Sequence, residues 1–398
     1  MTATAETAFK SAQKVWANSG DSHFLEPEDL YYQILPKELA DRMPRSEKTE
    51  SEEMVYIDGM TLGPRPLPRM GSISGELRGE KFENQTLAEI SHRPPGARDV
   101  RMRMADLDQE GIWGEVVYPS LGLWDFLIKD PDLALTAFRA VNEWKLSEVQ
   151  NVAPDRLVVT ASLPLQNMEK AVEELYHCAE IGYHAVYLPL AVPEGCKDWN
   201  FADFWAPLWH AFEETGLIPA AHLGSEGEVN AASGGSSGMT VYRGPGKVVL
   251  NYAETAYGPQ RFATKLVVGG TFEKHPKLKV LLAESGAGWV PSLGDRMNEG
   301  FRQHGWLNNT QLQEPPKDTL MRHFYCSFQH DVSAIEAVKN GYNNVLWGSD
   351  YPHLEGTFGH TQQTLHELLD NEKQWVRDRV LTGTFTELFP HVPKPPTS

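Results

Sequence analysis

The segment Leu157–Leu188, LVVTASLPLQNMEKAVEELYHCAEIGYHAVYL, decides the fold prediction. It begins with an apolar, β-branched run at Leu157–Ala161, continues through a polar loop into a helical pattern at Met168–Ile181, and ends with a second apolar run at His184–Leu188. Short apolar runs indicate buried strands, and apolar residues three and four apart indicate an amphipathic helix. The segment therefore predicts one strand–helix–strand unit of a parallel sheet.

The same alternation of strand and helix continues on both sides of this segment. One further helix is predicted at Phe204–Thr215, where Gly216 provides a common helix end. A first strand is expected to end near Asp21, and five more are predicted at Glu115–Tyr118, Ile218–His222, Lys279–Ala283, His323–Ser327 and Asn344–Gly348. Eight strands alternating with helices predict a TIM-like (β/α)8 barrel. An open doubly wound sheet ranks below it, because no Gly-x-Gly-x-x-Gly motif follows a strand.

Two segments interrupt the alternation. We expect a barrel domain at 17–390, with a long insertion at about 27–105 that is rich in proline, arginine and glutamate. A Gly/Ser-rich loop at 225–247 follows a predicted strand at the face where barrels carry lids or substrate-selecting walls, although simple surface decoration fits it equally well. An N-terminal extension at 1–16 and a disordered tail at 391–398 complete the predicted organisation.

Composition limits the classes of partner and compartment. Acidic residues outnumber basic ones 54 to 36, so the chain repels phosphate backbones and anionic lipid surfaces. No stretch reaches the roughly 20 apolar residues that a membrane span needs. The three cysteines, Cys178, Cys196 and Cys326, show no paired spacing. We therefore expect a cytoplasmic protein that binds neither nucleic acid nor membrane and acts on a small molecule.

Ionisable residues follow four of the predicted strands. They are Asp21 and His23, His222, Glu284, and Asp350 with His353. In a barrel the carboxyl ends of all strands meet at one face, and carboxylates mixed with imidazoles bind divalent transition metals. A single histidine at a strand end is often structural, but the joint pattern predicts a metal site held by Asp21, His23, His222 and Asp350.

Other residues near these strand ends are candidates for the same site. Glu26 is a further metal ligand or else a surface carboxylate beside a proline, and His353 is a second ligand or a partner that orients one. Arg93 in the long insertion is a candidate for binding a substrate carboxylate, although a surface ion pair fits it as well. Trp124 and Tyr351 are candidates for aromatic walls of a substrate pocket, and ordinary core packing fits them equally.

Eight short motifs together resemble the amidohydrolase superfamily, in particular its decarboxylase-like branch, amidohydrolase family 2. They are DSHFLEP from Asp21, MADLDQEGI from Met104, YPS from Tyr118, APDRL from Ala153, IPAAHLG from Ile218, HPKLKV from His275, ESGAGWVP from Glu284 and GSDYPH from Gly348. In that family the first strand ends in a His-x-His or Glu-x-His pair, which corresponds here to Asp21 and His23. The histidine after the fifth strand corresponds to His222, and the aspartate that closes the eighth strand corresponds to Asp350.

The resemblance implies a metal-dependent hydrolase or decarboxylase that acts on a small carboxylic acid or amide through a metal-activated water. Asp350 or Glu284 would then act as the general base and acid. Relatives often carry a catalytic histidine after the sixth strand, where this sequence has Glu284. The metal would be zinc, or iron or manganese given the hard oxygen ligands, and one or two ions are possible.

Two alternatives remain open at this point. The carboxylate-rich ligand set also resembles that of amidohydrolase-like proteins with a dinuclear iron-containing centre (Fe/Fe or Fe/Mn), which implies an oxygenase that hydroxylates a small organic acid or amino acid. A barrel subunit without catalysis, paired with a homologous chain, is the second alternative. Because related enzymes tend to be dimers or larger, we expect a homo-oligomer or such a hetero-oligomer.

Overall fold

A computed structural model describes residues 14–27, 29–49, 52–66, 94–120, 122–226, 242, 244–307, 312–353 and 355–396. Eleven strands lie within these ranges. In chain order they are β1 Ala17–Phe24, β2 Arg45–Lys48, β3 Glu52–Ile57, β4 Met60–Pro66, β5 Ile112–Pro119, β6 Leu157–Ala161, β7 Ala185–Leu188, β8 Ile218–His222, β9 Val280–Ala283, β10 Phe324–Phe328 and β11 Val345–Trp347.

Eight of these strands form one parallel sheet in the order β1-β5-β6-β7-β8-β9-β10-β11. The sheet curls back on itself, so that the segment after β11 lies beside β1. There the Asp350 N–H donates to the Asp21 carbonyl at 2.8 Å, and the His23 N–H donates to the Tyr351 carbonyl at 2.6 Å. The predicted TIM-like (β/α)8 barrel is therefore confirmed. Its strands are buried almost throughout, as expected where helices cover the outer face.

Helices connect the strands and cover the barrel. The α-helices are Leu30–Ile34, Lys37–Ala40, Val100–Glu110, Pro131–Glu148, Met168–Ile181, Ala202–Thr215, Lys247–Thr255, Tyr257–Val268, Thr271–Lys274, Trp289–His304, Pro316–His323, Val332–Lys339, Thr361–Leu369, Gln374–Asp378 and Thr384–Leu388. The helix Met168–Ile181 has its predicted bounds because the Asn167 side chain caps its first turn and Gly182, at φ 105°, ends it. The helix predicted at Phe204–Thr215 begins two residues earlier, and Gly216 ends it at φ 73°.

The segment after the first strand contains a separate antiparallel sheet. Strands β2, β3 and β4 form it, and Val55 and Ile57 pack with Phe138 and Val141 of the helix Pro131–Glu148. The helix Val100–Glu110 belongs to the barrel, so the insertion boundary predicted at about 105 falls inside a helix. The charged residues in VRMRMADLDQE obscure its apolar face in the sequence. Residues 67–93 lie outside the described ranges.

The C-terminal segment covers the amino end of the barrel. Phe385, Phe389 and Val392 pack with the inward-facing strand residues, and Val392 is only 1% exposed. The Trp113 indole donates to the Pro393 carbonyl at 2.9 Å. The tail predicted as disordered from residue 391 is therefore packed at least to Pro393, because its valine contributes to the core beneath the strands.

Candidate metal centre

Strand β1 supplies two of the predicted ligands. Asp21 and His23 are two residues apart and both are fully buried, so their side chains leave the strand on the same face. The Nδ1 atom of His23 lies 3.2 Å from the Pro119 carbonyl. Because a carbonyl only accepts, this contact places the imidazole proton on Nδ1 and leaves Nε2 with a free lone pair.

His222, at the end of β8, faces His23, and a backbone carbonyl likewise accepts from its Nδ1. Its Nδ1 lies 2.6 Å from the Leu223 carbonyl, and its Nε2 lies 2.9 Å from Nε2 of His23. The pKa of His222 is raised to about 9, so in the protein without metal a proton on its Nε2 can join the two nitrogens. A divalent cation bound by both nitrogens would take the place of that proton.

Two carboxylates complete the cluster from the last barrel strands. Glu284 follows β9 and Asp350 follows β11, and both have positive φ angles, 52° and 51°. Three groups of residues each have ligand atoms within 4.8 Å of one another: Asp21, His23 and His222; Asp21, Glu284 and Asp350; and His23, Asp350 and His353. The structure thus brings together the strand-end residues that the sequence singled out, including His353, whose Nδ1 lies 2.9 Å from Asp350 Oδ1.

Burial controls the ionisation of these groups. It lowers the pKa of His23, and the His353 imidazole adds to this. Burial also lowers that of His222, but the Asp21 carboxylate outweighs it, so that the pKa of His222 rises to about 9. Burial, followed by repulsion from Asp350, raises the pKa of Glu284 well above its usual range, and burial with repulsion from Asp21 does the same for Asp350.

The donor set fits a divalent cation. The Asp21 carboxylate is fully buried, and its Oδ1 lies 3.3 Å from His222 Nε2. A buried anion needs a positive partner, and two imidazole nitrogens with several carboxylate oxygens are ligands that manganese, iron and zinc accept. Asp21, His23, His222 and Asp350 could hold such an ion, with Glu284 and His353 beside them.

Other predicted site residues lie elsewhere. Glu26 is in none of the three groups, and its carboxylate accepts from the Ser120 N–H at 3.1 Å, so its prediction as a ligand is not supported. Tyr351 does not line a pocket: it is 1% exposed, and its hydroxyl donates to Asp106 at 2.6 Å. Arg93 and the side chain of Trp124 lie outside the described residues.

Two further buried polar groups lie near the centre. The sequence points to Tyr118 only through the motif YPS and as the end of a predicted strand, and it does not single out Arg103 as a site residue. Tyr118 packs its ring against His222, with 5.0 Å between the ring centroids. Burial raises the pKa of Tyr118 well above its usual range, and the Asp21 carboxylate adds to this. Arg103, fully buried, donates to the backbone carbonyl of His23 at 2.7 Å. A motif search at strand ends passes over Arg103, since it lies on a helix.

A parallel barrel that gathers carboxylates and imidazoles at the carboxyl ends of its strands belongs to the class of metal-dependent barrel enzymes. The chain is a member of the amidohydrolase family, whose model, described as Amidohydrolase, matches residues 120–390. This confirms the predicted family.

Individual proteins agree with this assignment. The 2-amino-3-carboxymuconate-6-semialdehyde decarboxylase of Dictyostelium discoideum is 25% identical over 281 residues, which cover 69% of this chain and 73% of that relative. The structure of an amidohydrolase from Mycobacterium avium subsp. paratuberculosis K-10 matches with a TM-score of 0.75 at 21% identity, covering 95% of this chain and 98% of that one. A dihydroxybenzoic acid decarboxylase from Polaromonas sp. JS666, solved with manganese and the inhibitor 2-nitroresorcinol, matches with a TM-score of 0.59 at 16% identity, covering 94% and 97%.

These comparisons support the expectation of a metal-dependent enzyme of the decarboxylase or hydrolase type. They lend no support to the oxygenase or to the subunit without catalysis. Among the described residues, no helix is long and apolar enough to cross a membrane.

Proposed function

We propose that the chain is a decarboxylase of small carboxylic acids whose carboxyl group is attached to an unsaturated or aromatic carbon. One divalent ion, for which manganese is the first choice, would be held by Asp21, His23, His222 and Asp350. The observation that carries the proposal is the pair of facing Nε2 atoms, 2.9 Å apart, beside the buried carboxylate of Asp21, whose Oδ1 lies 3.3 Å from His222 Nε2. These atoms form a set of donors that suits a divalent cation.

The charge around the site supports the need for this ion. Burial raises the pKa of Tyr252 above its usual range, and the carboxylates of Glu284, Glu355 and Asp350 contribute in that order. These acidic groups therefore converge near the helix Lys247–Thr255. They would repel an anionic substrate, and a bound divalent ion would offset that repulsion and polarise the substrate carboxylate.

Glu284 is placed to supply the proton that decarboxylation requires. Burial and repulsion from Asp350 raise its pKa, so it keeps its proton to a higher pH than a free glutamate, and its side chain is 15% exposed. When the bond to the carboxyl carbon breaks, carbon dioxide leaves and the electron pair stays on the unsaturated carbon. Glu284 donates its proton to that carbon and is protonated again from water.

The relatives support this reaction class. One is named as a decarboxylase of an unsaturated semialdehyde acid, and a protein of the same fold is named as a dihydroxybenzoic acid decarboxylase with bound manganese. A suitable substrate delocalises the electron pair left by the departing carbon dioxide. Dihydroxybenzoic acids and amino-substituted muconate semialdehydes both meet this requirement.

Metal content and turnover of one variant test the proposal. The wild-type chain, purified with manganese, iron and zinc available, should contain about one divalent ion, and Glu284→Gln should keep that ion while carbon dioxide release falls by about 10²-fold or more. Glu26→Gln is the matched control and should keep both ion and turnover. A wild-type chain without a bound divalent ion, or full turnover in Glu284→Gln, would refute the proposal.

The proposal extends to assembly and location. The three cysteines are unpaired in the structure, which supports a reducing cytoplasm. A homo-oligomer, or a hetero-oligomer with a homologous subunit, remains our prediction.

A further inference from the structure

We infer that Arg103 is a positioning residue for the metal centre, acting through the backbone of His23 and the ring of Tyr351. This inference rests on the proposed metal ligands, two of which, His23 and Asp350, lie on opposite sides of the seam where the barrel closes. Arg103 stands on the helix Val100–Glu110 and is not one of the proposed ligands.

Two separate nitrogens of the Arg103 guanidinium are engaged. Its Nη1 donates to the His23 carbonyl at 2.7 Å, and its Nε donates to Glu115 Oε1 at 2.5 Å. All three residues are fully buried. The arginine thus ties the peptide that carries His23 to the neighbouring strand β5, which contains Glu115.

The same helix also holds the other side of the seam. The guanidinium carbon of Arg103 lies 4.7 Å from the centre of the Tyr351 ring, and the Tyr351 hydroxyl donates to Asp106 at 2.6 Å. Tyr351 directly follows Asp350, and its carbonyl accepts from the His23 N–H at 2.6 Å. The peptide groups of His23 are therefore fixed at both ends, one by Tyr351 and the other by Arg103.

Close packing leaves this arrangement little freedom. A side chain at Gly96 would place its Cβ 2.7 Å from Cα of Arg103 and 2.7 Å from the Tyr351 hydroxyl. Tyr351 also packs edge-on against Phe358 at 5.0 Å. Because these neighbours restrict the ring and the helix, the spacing between His23 and Asp350 depends on the length and planarity of the arginine fork.

A positioning role for Arg103 predicts a change in metal binding, which a contribution to stability alone does not. Replacing the buried ion pair by apolar side chains, Arg103→Met with Glu115→Met, removes both hydrogen bonds without leaving an unpaired charge. The milder Arg103→Lys keeps the charge, but its single nitrogen replaces the two separate donors of the fork. Arg139→Met with Glu174→Gln is the control: it removes a partly exposed ion pair, with Arg139 Nε 2.8 Å from Glu174 Oε2, that lies away from the ligands.

The experiment titrates each metal-free protein with Mn²⁺, follows free Mn²⁺ by electron paramagnetic resonance, and records the spectrum of the bound ion. We expect 10- to 100-fold weaker binding and an altered bound-ion spectrum for both Arg103 variants, and unchanged binding for the Arg139 control even if its unfolding midpoint falls. If the double variant does not fold, Arg103→Lys tests the same prediction for Mn²⁺ affinity and for the bound-ion spectrum. Wild-type affinity and spectrum in the folded Arg103 variants would overturn this inference, whereas a wild-type protein that binds no Mn²⁺ would overturn the proposed function itself.

Discussion

Replacing Asp350 by asparagine should raise the stability of the metal-free protein and abolish its response to metal. Asparagine is the informative substitution because Asp350 has φ 51°, a conformation that asparagine tolerates and alanine does not. The change removes one of three carboxylates whose ligand atoms lie within 4.8 Å of one another, those of Asp21, Glu284 and Asp350. Without a cation these like charges oppose folding.

The expected size follows from the geometry. Two unit charges at that separation repel by about 3.5 kcal/mol at an effective dielectric constant of about 20. Proton uptake by Glu284, whose pKa burial raises, relieves part of this, so we expect a gain of about 1–3 kcal/mol. An unfolding entropy of about 2.1 cal/mol/K per residue gives about 0.8 kcal/mol/K for a chain of this length, and hence a Tm higher by about 1–4 °C.

The stabilisation of the protein by bound metal should, in contrast, be lost in this variant. A ligand at about 100 times its Kd stabilises a protein by about 2.7 kcal/mol, which corresponds to a rise of about 3–4 °C in the wild-type Tm. The Asp350→Asn protein should show almost none of this rise. Calorimetric melting at pH 8, with and without Mn²⁺, measures both effects, and Asp370→Asn on an exposed helix end serves as the control. A metal-free Asp350→Asn protein that melts below wild type, yet still gains from Mn²⁺, would refute the reasoning.

Three further outcomes are expected. Gly348→Ala would place a Cβ 2.8 Å from Cβ of Asp21, which must then move. Because Asp21 is a proposed ligand, Mn²⁺ binding measured by calorimetry should weaken at least about 10-fold. Unchanged affinity would contradict this packing. His391 stacks on His184 at 3.5 Å, and burial, with His184 adding to it, lowers the pKa of His391 to about 4. Between pH 6.5 and 4 the unfolded chain, with a histidine pKa of 6.5, therefore binds more protons than the folded one, so the free energy of unfolding should fall as the pH drops through this range. Denaturant unfolding of His391→Asn should show a weaker dependence of this free energy on pH. An identical pH profile would argue against the stack. Truncation after residue 390 removes buried Val392 and the Trp113–Pro393 hydrogen bond. It should lower the free energy of unfolding by about 2–4 kcal/mol. An unchanged denaturation midpoint would show that the tail does not stabilise the fold.

The sequence predicted those parts of the structure that follow from local patterns. The strands Leu157–Ala161 and Ile218–His222 and the helix Met168–Ile181 have their predicted bounds because apolar periodicity, a cap and a glycine mark them. The ligand cluster was also predictable, since parallel strands of one barrel bring their carboxyl ends together. Tyr351 was misplaced because its neighbour Asp350 faces the centre, and only the structure shows that the next side chain turns outward to Asp106.

Long-range contacts account for what the sequence could not show. The charged helix Val100–Glu110 gives little sign that Arg103 is buried, because its partners are 12 and 80 residues away in the chain. The C-terminal tail is similar: PKPPTS predicts disorder, and the packing of Val392 beneath the strands depends on a barrel that forms from distant segments.

Fold and site are joined by the same backbone contacts. The hydrogen bond from the Asp350 N–H to the Asp21 carbonyl closes the barrel, and its two residues are proposed ligands of one ion. Glu284 and Asp350 both adopt positive φ angles, which cost about 1–2 kcal/mol each for residues other than glycine. Neighbouring contacts maintain them, since the Glu284 N–H donates to Ser327 Oγ at 2.9 Å. Changes that loosen the seam should therefore weaken metal binding before they unfold the barrel, because the strained ligand backbones relax first.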